Sequence, residues 1–345
     1  MKSVVNLTAL LFLLSIQYAF AKKEGALSAG MVNPGYEEQP DWFKNSFLDL
    51  SDDIEEAAAS GKRLMVFFYQ DGCPYCKKLL QDNLGQRDIA EKTRKNFDVV
   101  SLNIWGDREV SFAGKVLTEK NFAALLKVMY TPTLLFFNEQ GKLILRINGY
   151  YYPAKFSAAL DYARDFGRDS GKQVSFREYL VRVSPLKSSG EINKTLQTMT
   201  SPYDFSAKTG RYRLLMFEQK QCRECDELHN DVLNREKSKQ QLKKFDIAVL
   251  DMWSKDKITR PDGKQSSIKD WAKSLNIQYA PSLVYLDPEG KEVFRSDAYL
   301  KSFHIQSVMD YVSSGAYKKE AHFQRYIDQR AERLRKQGEV IDLMQ

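Results

Sequence analysis

Unbroken apolar runs alternate along this chain with segments whose apolar positions recur at helical spacing, and the alternation occurs twice. Residues 41–59 have helical character, with Phe43, Phe47, Leu48, Leu50 and Ile54 as apolar positions, a start signal at Ser51-Asp52-Asp53 and a stop at Ser60-Gly61. Leu64-Met65-Val66-Phe67-Phe68-Tyr69 then runs apolar without interruption, as expected of a strand covered on both faces. Gln70-Asp71-Gly72 turns the chain. A helix is predicted from Cys73 through Lys77, Leu79 and Leu80, with Pro74 at its first position, where a missing N–H costs nothing. A strand at 97–104, a polar stretch after Trp105 and a helix at 119–128 follow. Strands at 133–137 and 142–146 flank the turn Asn138-Glu139-Gln140-Gly141 as a hairpin, and a last helix covers 154–166. The predicted order is a leading helix followed by β-α-β-α-β-β-α.

The second half repeats this order. Strands are expected at 213–217, 247–250, 282–286 and 292–295, and helices from Cys222, at 267–275 and at 305–312. The joining segment is rich in Ser, Gly and Lys, with a short helix predicted at 176–183. After Gly315 a charged tail carries Phe323, Ile327 and Leu334 at helical spacing, the pattern of a helix docked on a folded surface.

The recurrence is also a repeat of individual residues. The four cysteines form two pairs, Cys73-Pro74-Tyr75-Cys76 and Cys222-Arg223-Glu224-Cys225, and 222 − 73 = 149. Pro132 in Tyr130-Thr131-Pro132-Thr133 matches Pro281 in Tyr279-Ala280-Pro281-Ser282, since 281 − 132 = 149. Gly61/Gly210, Gly141/Gly290, Arg146/Arg295, Tyr150/Tyr299, Asp161/Asp310 and Tyr162/Tyr311 keep this offset, whereas Trp105 and Trp253 differ by 148. Chance matches do not hold one register over such a length. The chain carries two copies of one domain, each built around a dithiol and a distant proline.

A length of 345 residues suits two domains, and 43% hydrophobic residues suffice for packed cores. The balance of 52 Lys+Arg against 45 Asp+Glu is mildly basic. No Lys/Arg block stands beside stacking aromatics, which argues against nucleic acid as a partner. Met1-Lys2 is followed by the apolar core Leu10-Leu11-Phe12-Leu13-Leu14, and Ala19-Phe20-Ala21 supplies small residues at cleavage spacing. Residues 1–21 read as a secretory signal peptide; the alternative is an uncleaved anchor, although Asn6, Thr8 and Gln17 interrupt the run. The mature protein is therefore expected outside the cytoplasm, in a bacterial periplasm.

Export changes how the cysteines are read. A Cys-x-x-Cys loop restrains the unfolded chain little, so the spacing suits redox chemistry better than stapling. The thiolate is the reactive species, and a helix N-terminus stabilises it through unpaired N–H groups and the helix dipole. The first cysteine of each pair gains most, and the second lies about one turn deeper, close enough to close a ring. Cys73 would attack a disulfide and Cys76 resolve the mixed disulfide; the reverse sequence donates a disulfide. Glu224, Asp226 and Glu227 set negative charge beside Cys222 and oppose its ionisation, while Lys220 and Arg223 partly offset them. A structural disulfide is the alternative for the second pair. Cys222, Cys225 and His229 share one helical face and could hold a metal, but Leu80 stands at the matching position of the first copy and no metal site is expected. His229 is expected on the surface. His304 and His322 show no partner pattern.

Asp71-Gly72-Cys73-Pro74-Tyr75-Cys76-Lys77 and Tyr130-Thr131-Pro132-Thr133-Leu134-Leu135-Phe136 resemble the dithiol motif and cis-proline loop of the thioredoxin superfamily. Trp42-Phe43, the long polar insert before Lys120 and the Gly149-Tyr150 ending resemble, more narrowly, periplasmic Sox W-type thioredoxin-like proteins. The resemblance implies an α/β fold of two tandem thioredoxin-like domains, each a central mixed sheet flanked by helices. Domain one spans 41–167, a linker 168–204, domain two 205–316 and a charged C-terminal helix 317–345. It implies a thiol–disulfide oxidoreductase acting on protein dithiols and disulfides without a cofactor, which takes electrons from a membrane thiol reductant or passes disulfides onward, reduction being the favoured of the two directions. Cys73 takes the nucleophile's place, Cys76 the resolving thiol's, and Pro132 that of the substrate-contacting proline. Cys222 and Cys225 repeat the pair, and Pro74, Tyr75, Thr131, Ala280 and Pro281 complete the expected substrate-binding set. Two departures stand out. The acid that cytoplasmic thioredoxins bury under the dithiol is replaced by Phe67 and Met216, and Arg223-Glu224 is an unusual dipeptide between the cysteines. A non-catalytic protein binder and a disulfide isomerase remain the competing functions.

Overall fold

A computed structural model of the chain describes residues 38–168, 174–183, 188–297 and 300–341; the expected signal peptide and Tyr299 lie outside them. The first copy comprises α1 (Leu50–Ala59), β1 (Arg63–Tyr69), α2 (Pro74–Lys78), α3 (Arg87–Asn96), β2 (Phe97–Asn103), β3 (Glu109–Phe112), β4 (Lys115–Thr118), α4 (Glu119–Leu125), β5 (Thr133–Phe137), β6 (Leu143–Asn148) and α5 (Pro153–Asp165). After α6 (Phe176–Val183) and β7 (Tyr203–Asp204), the second copy comprises β8 (Tyr212–Glu218), α7 (Arg223–Glu227), α8 (Glu236–Leu242), β9 (Phe245–Asp251), β10 (Lys257–Thr259), β11 (Gln265–Ser267), α9 (Ile268–Ser274), β12 (Ser282–Leu286), β13 (Glu292–Ser296) and α10 (Ser302–Ser313). α11 (Phe323–Lys336) ends the fold.

Each copy has a four-stranded sheet of the same order, β2-β1-β5-β6 and β9-β8-β12-β13. The first two strands of each order pair in parallel and the other neighbours antiparallel. The unbroken apolar run of β1 is explained by its central place. Met65 and Phe67 join the core under the dithiol, α3 and α5, while Leu64, Val66 and Phe68 join the opposite core with α1 and α4. Burial on both faces removes any need for polar alternation.

Three local expectations differ from the structure. The leading helix begins only at Leu50, because the Asp49 carboxylate caps it by accepting from the Ser51 and Asp52 N–H groups. The segment before it is not helical: Trp42 and Phe43 sit in a turn and pack against the first core, and Lys44 N–H is bonded to the Val99 carbonyl at 2.8 Å. The helix predicted from Cys73 through Leu80 is present but not α throughout: α2 gives way to a π turn at Leu79–Asn83, and at Gly85 a Cβ would collide with the Gln81 carbonyl. The polar insert after Trp105 folds as the β3–β4 hairpin, and its counterpart supplies β10 and β11, with β10 paired between β11 and β7.

The tail is a docked helix. Phe323, Tyr326, Ile327 and Ala331 of α11 are buried in the core around β8, β12 and α10, and Tyr130 of the first copy joins the same core. Among the described residues no helix is long and apolar enough to cross a membrane.

Candidate active site

Cys73 is the N-cap of α2 and Pro74 its first residue, so the dithiol sits at the mouth of a helix. The Cys76 N–H donates to Cys73 Sγ at 3.0 Å, the kind of contact that favours a thiolate at this sulfur. Cys73 and Cys76 are disulfide-bonded with Cα atoms 5.2 Å apart. Cys73 Sγ also lies 3.3 Å from the Thr131 carbonyl oxygen, and the Thr131–Pro132 bond is cis. A residue far along the chain thus forms the wall of the dithiol site. The second copy repeats the construction. Cys222 caps α7, the Cys225 N–H donates to Cys222 Sγ at 3.1 Å, the pair is disulfide-bonded, and Ala280–Pro281 is cis. Ala280 and Cys222 line one small cavity with Lys155, Arg177 and Glu224.

The thioredoxin-like domain profile matches residues 50–164 and 204–313, two segments that together span more than half of the chain. The chain belongs to the thioredoxin-like domain family. A stretch of 112 residues is 27% identical to the thiol:disulfide interchange protein DsbD of Pseudoalteromonas atlantica, covering 32% of this chain and 17% of that protein. A solved thioredoxin-fold protein from Helicobacter pylori matches at 21% identity over 40% of this chain and 92% of that one, with a TM-score of 0.31. The oxidised C-terminal domain of Neisseria meningitidis DsbD matches at 16% identity over 33% of this chain and 93% of that one, with a TM-score of 0.26.

Within this thioredoxin-like pair, both dithiols are closed off from solvent. Cys73 is 6% exposed, Cys76 4%, Cys222 4% and Cys225 1%. The residue between the cysteines of each pair meets the other copy. Tyr75, between the first two cysteines, accepts a hydrogen bond from the Lys301 N–H at 3.0 Å, and its ring meets His304 edge-on at 5.1 Å. Glu224, between the second two, pairs with Lys155 of α5 at 3.0 Å. The charges expected to oppose Cys222 ionisation are tied off elsewhere. Glu227 binds Lys301 at 2.8 Å and accepts from the Tyr152 hydroxyl, while Asp226 accepts from the Ser189 N–H and the Asn193 amide.

Two functional candidates escaped the sequence. His229 is not a surface residue: it is fully buried, with Nε2 2.7 Å from Glu218 Oε1 and Nδ1 2.8 Å from Thr195 Oγ1. Both ring nitrogens of His229 thus have hydrogen-bond partners. Burial pushes the Glu218 carboxyl above the usual carboxylate range, against the hydrogen bond from His229. This acid follows Met216 by two residues on β8, so the second copy does bury a carboxyl on the strand leading to its dithiol. The polar pair stands where the first copy has Tyr69 and Leu80, a difference visible only once the register of the repeat is used.

His304 is the other. Burial and the nearby Arg330 guanidinium hold it down to about 4, so it is neutral at physiological pH and packs on Tyr75 as an aromatic ring. The unfolded imidazole titrates near 6.5, above the folded value, so the unfolded state binds more protons between the two. Stability is then expected to be level above pH ~6.5 and to fall as pH drops toward ~4, by about 3 kcal/mol in all. His304→Phe should flatten that part of a urea-unfolding profile against pH. An unchanged slope in the variant would remove His304 from the account.

Proposed function

We propose that this protein is an exported thiol–disulfide oxidoreductase that acts on protein disulfides, with Cys73 and Cys76 as its main redox pair. The observation that carries the reading is the meeting of three features at one sulfur. Cys73 caps a helix, receives the Cys76 N–H at 3.0 Å, and faces the Thr131 carbonyl at 3.3 Å. The Cys73 thiolate attacks a substrate disulfide, forming a mixed disulfide and releasing one substrate thiol. Cys76 then attacks Cys73 Sγ, the second substrate thiol leaves, and the Cys73–Cys76 disulfide remains. Two electrons and two protons pass to the substrate, and a thiol reductant must restore the dithiol. Pro74, Tyr75, Thr131 and Pro132 form the substrate wall in this reading. Cys222 and Cys225, with Ala280 and Pro281, form an equivalent second site.

The reducing direction, a membrane thiol reductant as electron source, periplasmic residence after removal of residues 1–21, and kinship with Sox W-type proteins complete the proposal. So do domain limits at 41–167 and 205–316. The family membership and the DsbD likeness of one segment support it. The test is the reduction potential of each pair, measured in variants lacking the other. A Cys73–Cys76 value near about −270 mV supports a reductant, and one near about −120 mV reverses the direction. A value below about −300 mV together with no exchange toward insulin makes the bond structural and ends the proposal.

A further inference from the structure

The two copies cover each other's dithiols by matching contacts. Tyr75 and Glu224 hold equivalent places between the cysteines, since 224 − 75 = 149, and the residues that meet them, His304 and Lys155, are equivalent too, since 304 − 155 = 149. The residues preceding the cis-proline loops cross over as well. Tyr130 is buried in the second copy's core, its hydroxyl donating to the Arg295 carbonyl at 3.0 Å, while Tyr279 stacks on Tyr151 at 5.2 Å in the first copy's core. Lys155 Nζ lies 3.9 Å over that Tyr279 ring.

The helices that follow each copy add a second layer. α11 brings Gln324 to the Gln70 amide at 3.1 Å and the Arg325 guanidinium 5.0 Å over Trp105, beside the first dithiol loop. α6 brings Arg177 4.4 Å over the equivalent Trp253, beside the second. A dithiol needs its first sulfur presented to a substrate disulfide, and here Cys73 and Cys222 are 6% and 4% exposed, with a small cavity left at Cys222.

We propose that this closed arrangement is an autoinhibited state, in which each copy occupies the other's substrate surface, and that the copies must part before either dithiol meets a protein disulfide. The inference rests on the redox reading above and names its regulation. Opening one face opens both, because the contacts are shared. A change in one copy therefore alters the reactivity of a dithiol that it does not touch.

The experiment uses the whole reduced chain. Alkylation of Cys73 and of Cys222 is followed site by site with iodoacetamide and with a bulky polyethylene-glycol maleimide. Lys155→Ala, whose residue pairs with Glu224 of the second dithiol motif, is read at Cys73. His304→Ala, whose residue touches only the first, is read at Cys222. Each is expected to raise the bulky reagent's rate at the distant cysteine at least about tenfold, with insulin reduction rising in step. In the unaltered chain the bulky reagent should accelerate with urea well below the unfolding transition, which needs no variant to fold. Bulky and small reagents labelling the unaltered chain equally fast, with no urea dependence, would overturn the closed state while leaving the redox reading intact. Effects confined to the touched dithiol overturn the coupling. Distant thiols that open but never exchange with insulin support the opening and sink the redox reading instead.

Discussion

Replacing Cys73 with Ala is expected to lower the rate of insulin disulfide reduction at least about a thousandfold, the scale of loss when a nucleophile is removed. The reason is local. Cys73 is the sulfur that receives a backbone N–H at 3.0 Å and faces the Thr131 carbonyl at 3.3 Å, so neither Cys76 nor a water can take its place at the mouth of α2. Cys76→Ala is expected to fail differently: attack proceeds, resolution does not, and substrate accumulates as a mixed disulfide on Cys73 that a non-reducing gel reveals. Cys222→Ala should leave most of the activity. If Cys222→Ala proves the silencing change and Cys73→Ala the mild one, the assignment of the main site is reversed.

The second large effect is expected on stability. Lys155 and Glu224 pair at 3.0 Å with side chains only 12% and 6% exposed, and burial alone lowers the Lys155 pKa. Lys155→Ala leaves the Glu224 carboxylate buried without its cation and removes the cation from the Tyr279 ring. A loss of about 3 kcal/mol is expected, read as a lower urea midpoint. Replacing both partners by Met removes the stranded charge together with the pair, and the double variant should return to within about 1 kcal/mol of the original. A double variant as unstable as the single one would show that packing around Lys155, rather than the charge, sustains the contact.

Most of the sheet was legible in the chain. The run at β1 is apolar because the strand is central, and the hairpins at Gly141 and Gly290 announce themselves by a glycine between short strands, both with positive φ. The dithiol geometry was legible too, since Pro74 after Cys73 marks a helix start whatever follows. The π turn that ends that helix was not, because a shift in hydrogen-bond register leaves no mark in the periodicity of so short a segment. Nor was the start of the leading helix, where Trp42 and Phe43 mimic a helical face but sit in a turn just before the chain meets β2 at Lys44.

The charged residues around Cys222 show the limit most clearly. Read along the chain, Glu224, Asp226 and Glu227 are a local field acting on a thiol. In the folded molecule they are bound by Lys155, Ser189, Asn193 and Lys301, so the field is largely spent on holding segments together. His229 and Glu218 likewise lie eleven positions apart and become partners only because a turn carries the chain from β8 into α7.

By itself the chain determined that two related domains exist, that each has a dithiol capping a helix, and that a distant proline accompanies each. Those features follow from periodicity, spacing and register, which are local or repeat themselves. That the two copies face one another, and that the residue between each pair of cysteines meets the other copy's side chains, was decided only by tertiary structure. Contacts such as Tyr75 with His304 join residues from different copies, and no periodicity in one copy encodes the surface of the other.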